Sequence, residues 1–475
     1  MRTKPKFGTS QATGLLLVLF GGVFAGCATV NPSADYDRAR GYAAAATTTD
    51  QGSIATAAED SLVADQIESR LADGLTMDEA VDIALLNNRE LKAGFYEIGI
   101  SRAELVQSGL LANPSLGAVL RYPEGGGDPT IEAQLAFNLL DLWQRPARKR
   151  VGEYRLERAI LQAAHEAAQM SARTKTAYIA TVAAQRKREI EQLNLRATED
   201  FLELSLARQT AGAATETESN TARAEHLEQA ALVRSAELFE VETKLRLASL
   251  LGLDIDPASL TVTDTLAPQS EIHLDLDMLT ASADSHRLDV WAARENVRAM
   301  EAAVSLQKRL RFPELRGGDE IEGRGGEYEI GPGLDLELPL FDQNQAQVSI
   351  AEMRQQQANA SFEELRLSAH QQVRTAFERL ETTLETARSY EEDILPLRES
   401  SLDLASKSFQ AGKTGFLNVL EAQKQLIAAR REAASWVESS ALMVISLEAA
   451  CGRTLGELTG GAKRAGKPPE DRKTR

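Results

Sequence analysis

Two segments of the chain alternate apolar and polar side chains with a period of two. In the first, Ile131, Leu135 and Phe137 alternate with Glu132 and Gln134. In the second, the apolar positions are Tyr328, Ile330, Leu334, Leu336, Leu338 and Leu340, separated by acidic and small residues. This period is typical of a strand with one apolar and one polar face, and a glycine-containing turn precedes each run. We therefore predict β-hairpins over residues 115–139 and 314–340.

Apolar residues at helical spacing dominate the remaining chain. A helix is predicted over 76–111, with Thr76 as its cap and Glu79 three residues later. Residues 144–210 contain a single glycine, Gly152, so an unbroken helix here would be about 100 Å long. A further helix follows over 215–251, and the second half predicts the same order over 274–310, 343–410 and 412–451.

The two halves of the chain match at a spacing of 200 residues. Ala211-Gly212 and Ala411-Gly412 occupy equivalent positions, and each pair breaks a long helix. The spacing is too long for a solenoid repeat, so it indicates a duplicated structural unit. We predict one repeat over 75–253, a linker over 254–273 and a second repeat over 274–453.

The apolar faces of the two hairpins need either a packing layer or lipid. In an outer membrane the apolar face would meet lipid and the polar face would line a lumen. Four strands cannot close a membrane barrel, and an open sheet edge is not tolerated in hydrocarbon. The sequence therefore predicts an oligomer, and three copies would supply twelve strands.

The N-terminus is typical of a secretory signal. Basic residues precede the short apolar run 14–24, and Cys27 follows three residues after its end. The residues before Cys27 resemble a lipobox, so we predict a lipoprotein signal over 1–26, an acylated Cys27 and a tether over 27–74. An ordinary signal peptide is the alternative. The tail 454–475 is predicted to be disordered.

Composition narrows the classes of function. The formal net charge of −17 disfavours nucleic acid as a partner and would suit a conduit for cations. Cys451 has no second cysteine to pair with once Cys27 is acylated, and the five histidines show no metal-binding spacing. No nucleophile elbow, P-loop, zincin or dinucleotide motif is present, so neither an enzyme nor a cofactor is predicted.

The order of elements and several short motifs resemble the TolC family of outer-membrane efflux and secretion channels. The motifs are LLANPSL at 110–116, LDLWQRPARKR at 140–150, LPLFDQNQAQ at 338–347 and AGKTGFLNVLEAQ from Ala411. They are most similar to the CzcC-like heavy-metal branch. The chain departs from that branch at Arg145-Pro146-Ala147 and at Ala346. The resemblance covers nearly all of 75–452.

The resemblance implies a mainly α fold with a membrane β-barrel: a trimer with a twelve-stranded barrel and a periplasmic α-helical tunnel. It implies a periplasmic adaptor and an inner-membrane pump of the RND type as partners. It assigns adaptor contact at the tunnel tip to these residues: Ala211, Gly212, Ala213, Ala411, Gly412, Lys413 and Thr414. It assigns the tunnel constriction to Glu218, Asn418 and Glu421, although Asn418 departs from an acidic pattern.

Three functions remain open at this point. The first is the exit channel of an RND-type efflux system, with heavy-metal cations as one candidate substrate class. The second is a TolC-like channel for drug or protein export. The third is a lipid-anchored coiled-coil scaffold without a pore, which the two amphipathic hairpins disfavour. Solvated helix faces are the plain alternative for Glu218 and Glu421.

Overall fold

The structure, a computed structural model, describes residues 29–47, 67, 69–71, 73–267, 274–312, 314–324 and 327–459. The predicted signal segment, Cys27 and the tail beyond 459 lie outside the described residues. The elements of the first half are α1 (Ser33–Thr47), α2 (Met77–Asn87), α3 (Arg89–Ser108), β1 (Ser115–Arg121), β2 (Thr130–Asn138), α4 (Leu140–Thr210) and α5 (Glu216–Leu251).

The second half repeats this order with one interruption. A 3₁₀ turn at Pro257–Ser259 lies in the linker. The elements that follow are α6 (Leu276–His286), α7 (Leu288–Arg309), β3 (Leu315–Arg324), β4 (Glu327–Leu336), α8 (Gln345–Arg388), a π-helical segment (Ser389–Ile394), α9 (Leu395–Gln410), α10 (Phe416–Cys451) and α11 (Leu455–Thr459). In the described part of the chain, no helix is both long and apolar enough to cross a bilayer.

The first predicted helix of each repeat is in fact two helices. At 76–111 the break falls at Asn88, whose side chain accepts a hydrogen bond from the Leu91 backbone N–H at 3.1 Å. Asn88 ends α2 and caps α3 because its backbone is extended there. In the second repeat, Arg287 has the same extended backbone between α6 and α7, so the helix predicted over 274–310 is also divided.

The second long helix is not uninterrupted as predicted. Its π-helical segment precedes Pro396, which has no backbone N–H and whose ring clashes with the carbonyl four residues earlier. That conflict accounts for the wider turn at this place. The first repeat has no proline here, and α4 runs 71 residues without such a break.

The second hairpin and the two termini also differ from the predicted boundaries. Strand β4 ends at Leu336, not at 340, where its pairing with Leu315 at the start of β3 also ends. The predicted tether contains α1, which is packed into the core: Ala39 and Ala43 are fully buried, and the Tyr36 and Phe95 rings lie 6.5 Å apart. The predicted tail begins with the short helix α11.

The four strands form one antiparallel sheet in the order β1-β2-β3-β4. The half of α4 nearer the strands packs against α3 and α7, and we call this half the barrel side. The other half of α4 packs against α5 and α10, and we call it the tip side. The largest core lies between these halves. There the buried Tyr178 hydroxyl donates to the Leu75 carbonyl at 2.7 Å, and burial raises the pKa of Tyr178.

Candidate functional site

The two helix reversals at the tip have the same backbone geometry. Gly212 and Gly412 have φ values of +73° and +70°, a conformation that favours glycine. The following N–H groups close each turn: Ala213 donates to the Arg208 carbonyl at 2.8 Å, and Lys413 to the Ser408 carbonyl at 2.9 Å. A Cβ at either glycine would contact nothing within 4 Å, so the constraint lies in the backbone conformation.

The tip turns present a mostly solvent-exposed surface. Of the residues assigned to adaptor contact, Thr414 is half-buried and the others are exposed: Ala211, Gly212, Ala213, Ala411, Gly412 and Lys413. Thr215 caps the start of helix α5: its hydroxyl accepts a hydrogen bond from the Glu218 N–H at 3.3 Å. Gly415 provides no such cap for α10. The two turns therefore share a backbone conformation, but only the first is followed by a helix with a side-chain N-cap.

An aromatic cluster of Phe201, Phe409 and Phe416 joins the two repeats next to the tip turns. The Phe201 and Phe416 rings stack at 4.8 Å, and Phe409 meets Phe416 edge-on at 6.5 Å. The Arg208 guanidinium lies 4.2 Å from the Phe409 ring centre. Sequence reasoning missed this cluster. Its only local signal is the pair of phenylalanines flanking the glycine turn at 411–415.

A polar bridge of Glu191, Gln229 and Arg431 joins α4, α5 and α10 farther from the tip. The Arg431 guanidinium donates to both Glu191 carboxylate oxygens, at 2.7 and 2.6 Å, and to the Gln229 amide oxygen at 3.0 Å. The Gln229 amide nitrogen donates to Glu191 at 2.6 Å. Glu191 is only 2% exposed. A forked pair of this kind fixes both distance and angle between helices.

The polar bridge holds Glu191 in its charged form. Burial alone would raise the pKa of this carboxyl, but the hydrogen bonds from Arg431 and Gln229 outweigh burial and lower it. A second ion pair, Lys424 with Glu225, links α10 to α5 nearer the tip. The contact between the repeats on the tip side therefore combines these polar groups with the aromatic cluster next to the tip turns.

The three residues assigned to the constriction lie on two helices, one from each repeat. Glu218 lies on α5 and is half-buried, whereas Asn418 and Glu421 lie on α10 and are exposed. Glu421 accepts a hydrogen bond from the Gln425 amide at 2.7 Å. No group of three or more metal-binding side chains occurs in the part of the chain that the structure describes.

The sheet has one mainly apolar and one mainly polar face, with Asp319 on the apolar face and Val119 on the polar face as exceptions. The register pairs Glu132 with Glu322 and Glu322 with Glu329, so these three carboxylates lie in one row. Residues directly paired across antiparallel strands share a face. The other face carries the apolar positions, which include Ile131, Leu135, Ile330, Leu334 and Leu336. The sheet therefore has the two-faced character that the sequence pattern predicts.

Comparisons with known proteins agree on one family. The model of the family described as "Outer membrane efflux protein" matches residues 279–453, which is the second repeat. The cobalt-zinc-cadmium resistance protein CzcC of Cupriavidus metallidurans is 23% identical over 76% of this chain and 85% of its own. The pyoverdine export outer membrane protein OpmQ of Pseudomonas aeruginosa is 23% identical over 74% of this chain and 80% of its own.

Solved structures show the same fold. The outer membrane protein VceC from Vibrio cholerae superposes with a TM-score of 0.68 at 19% identity, covering 80% of this chain and 96% of its own. This coverage includes both repeats. The duplicated arrangement of hairpins and long helices is therefore that of the TolC-like channels.

Proposed function

Because this chain belongs to the outer membrane efflux protein family, we propose that three copies close its sheet into a barrel and its helices into a tunnel. The chain is an outer-membrane component of an efflux system and not an enzyme. Channels of this family generally form trimers that work with an adaptor and an inner-membrane pump. The observation that carries the trimer is the four-stranded sheet: in the described part of the chain, its outer strands β1 and β4 each have one unpaired edge.

Among the described residues, the layer of helices ends at the same two sides as the sheet, because each end helix packs against a neighbour on one side only. On the barrel side the order is α3-α4-α7-α8, and on the tip side it is α5-α4-α10-α9. The four outer helices carry exposed apolar residues: Tyr96 and Ile100 on α3, Leu227 and Leu238 on α5, Met353 and Leu367 on α8, Leu397 and Leu404 on α9. Repetition around a threefold axis would pair α3 with α8 and α5 with α9 of neighbouring copies, and would bury these residues.

The proposed channel is tested with the purified full chain in a planar lipid bilayer. We expect a native mass of three chains and stable single-channel conductance. A monomer that inserts without conductance would contradict the proposal and favour the scaffold without a pore. The tip turns and the constriction residues Glu218, Asn418 and Glu421 are proposed to serve as the adaptor surface and the narrow mouth of this channel.

We propose cations as the favoured substrates of the barrel. Two findings support this: the acidic row Glu132, Glu322 and Glu329 occupies the face opposite the apolar one, and CzcC is by name a metal-resistance protein. OpmQ, which has the same sequence identity to this chain as CzcC, is by name a pyoverdine export protein. Export of organic molecules is therefore the competing proposal. Replacing all three glutamates by glutamine should reduce the cation preference in single-channel recordings, since lumen charge sets selectivity. An unchanged preference would favour the organic substrate.

A further inference from the structure

The outward side of α4 continues the lipid-facing side of the sheet. Gly317 lies in register with Phe137 and Leu334, on the apolar face, and the side chain of Leu139 packs against it. Leu139 already has helical backbone angles. Residues three, four, ten and eleven positions later therefore point the same way. These residues are Leu142, Trp143, Lys149 and Arg150, and all four are exposed.

Along this outward side, apolar residues give way to basic ones. Leu142 is 59% exposed and Trp143 is 49% exposed. Arg150 follows Trp143 after seven residues, or roughly 11 Å along the helix axis. Amphipathic aromatic residues are enriched at the membrane–water interface, at the level of the headgroups. Arg150 would then lie at the outer edge of this layer, from which its long side chain can reach back to the phosphates. Arg145, three residues after Leu142, is exposed and lies beside the same surface.

Two further arginines lie at and just beyond the end of α7, and the first of them contacts Trp143. The Arg309 guanidinium lies 5.4 Å from the Trp143 ring centre and donates to the Trp143 carbonyl at 3.2 Å. Arg311 is exposed and donates to the Gln343 amide oxygen at 2.6 Å. We call Arg145, Arg150, Arg309 and Arg311 the basic collar. Among the described residues, none of the four has a carboxylate within ion-pair distance, although Arg145 adds to the positive charge around Asp141.

The second repeat lacks the α4 part of this surface. Residues 339–353, which begin the second long helix, contain neither lysine nor arginine, whereas the equivalent segment of the first repeat contains Arg145, Arg148, Lys149 and Arg150. The charge is therefore not a general property of helices that leave the membrane. It marks the junction of α4 and α7.

We propose that the basic collar binds the phosphate groups of anionic phospholipids in the periplasm-facing leaflet, with Trp143 at the boundary of the acyl chains. The inference rests on the proposed function because it requires the sheet to span a membrane. Clusters of basic residues next to a membrane-spanning segment attract anionic headgroups, and arginine suits phosphate because it can donate two hydrogen bonds at once. Each copy would supply one such surface.

The test uses the full-length protein with phosphatidylglycerol and phosphatidylethanolamine. Retained lipids are counted by native mass spectrometry for the wild type and for the Arg145→Gln/Arg150→Gln variant. We expect the wild type to retain phosphatidylglycerol selectively and the variant to retain it roughly tenfold more weakly, since each basic residue near an anionic surface contributes appreciably. The matched control is Arg196→Gln/Arg223→Gln, which removes two exposed arginines from the tip side and should retain lipid like the wild type.

Two further measurements separate the possible failures. An Arg145→Lys/Arg150→Lys variant keeps the charge and should recover most of the retention. Single-channel conductance reports membrane insertion independently: absent conductance in the wild type would contradict the proposed channel, whereas normal conductance without selective lipid retention would overturn the collar alone. Equal retention by the wild type and the glutamine variant, or equal loss in the tip-side control, would overturn it too.

Discussion

At the scale of single residues, the polar bridge is one of the contacts that hold the two repeats together on the tip side. Glu191 is buried, and its charge is matched by the forked hydrogen bonds of Arg431. Removing one partner of a buried pair leaves the other charge without compensation, which is more damaging than the pair itself is stabilising. The exposed pair of Arg430 with Glu399 on the neighbouring helices has no such burial.

We predict that Glu191→Gln lowers the free energy of unfolding by about 1–3 kcal/mol, because it leaves the Arg431 charge without its partner. The loss is limited because the Arg431 side chain is partly exposed to solvent. Glu399→Gln is the matched control and should change it by less than about 1 kcal/mol. Thermal unfolding of the purified protein measures both. Similar changes in the free energy of unfolding at the two sites would show that the polar bridge stabilises the protein no more than an exposed ion pair does.

The lowered pKa of Glu191 fixes the pH dependence of this contribution. The bridge stabilises the protein fully above the ordinary pKa of glutamate, about 4.3, and loses its effect as the pH falls through the lowered folded-state value. We therefore expect no difference in the Glu191-dependent stability between pH 8 and pH 6, and a decrease only in strong acid. A decrease near pH 6 would contradict the charged pair.

At the scale of elements, the glycine turns require a positive φ, although a side chain at Gly212 or Gly412 would contact no neighbouring atom. Gly412→Val should destabilise the tip by about 1–2 kcal/mol, because a β-branched residue is strained at positive φ. Gly415→Val is the control: Gly415 has φ −81°, which valine adopts freely. We expect only the first variant to weaken binding of the adaptor in a pull-down assay, with both variants still trimeric.

The two faces of the sheet give a second prediction for an element. Ile330→Lys, near the middle of β4, should destabilise the membrane-inserted protein by about 2–4 kcal/mol, whereas Glu329→Lys on the opposite face should cost little. Leu336 would be a weaker test because β4 ends there. Folding into vesicles under denaturant titration measures the difference, and equal effects would refute the assignment of the faces.

The order of elements could be predicted from the sequence because period two and helical spacing are local signals. The breaks at Asn88 and Arg287 could not, since Asn88 also donates to the Leu250 carbonyl and Arg287 to the Ala450 carbonyl, both contacts with distant helices. The polar bridge was missed for the same reason: Glu191 and Arg431 are 240 residues apart. Pro396 was a readable signal for the irregular turn.

At the scale of the whole molecule, the constriction remains a prediction of the assembled channel. Asn418 and Glu421 are exposed in one chain, and three copies of each would meet only around the threefold axis. Glu421→Lys should then lower the cation preference in single-channel recordings, and Asn418→Asp should raise it. Unchanged selectivity in both variants would place the narrow mouth elsewhere.

The lipid anchor is a separate prediction for the whole molecule. If Cys27 is the acylated first residue of the mature protein, mass spectrometry of the N-terminal peptide should show the lipid adduct, and Cys27→Ser should abolish it. A mature N-terminus at another position, without lipid, would identify an ordinary signal peptide instead.

The duplication has a consequence for symmetry. Two tip turns of matching backbone in each of three copies would give the tunnel mouth an approximate sixfold rotation axis within a true threefold one. The approximation fails where the repeats differ, at the start of α10 and at the π-helical segment. Grooves around the mouth would therefore alternate between two types. A ring of six identical docking subunits would have to occupy two non-equivalent types of groove. A ring of three could bind a single type.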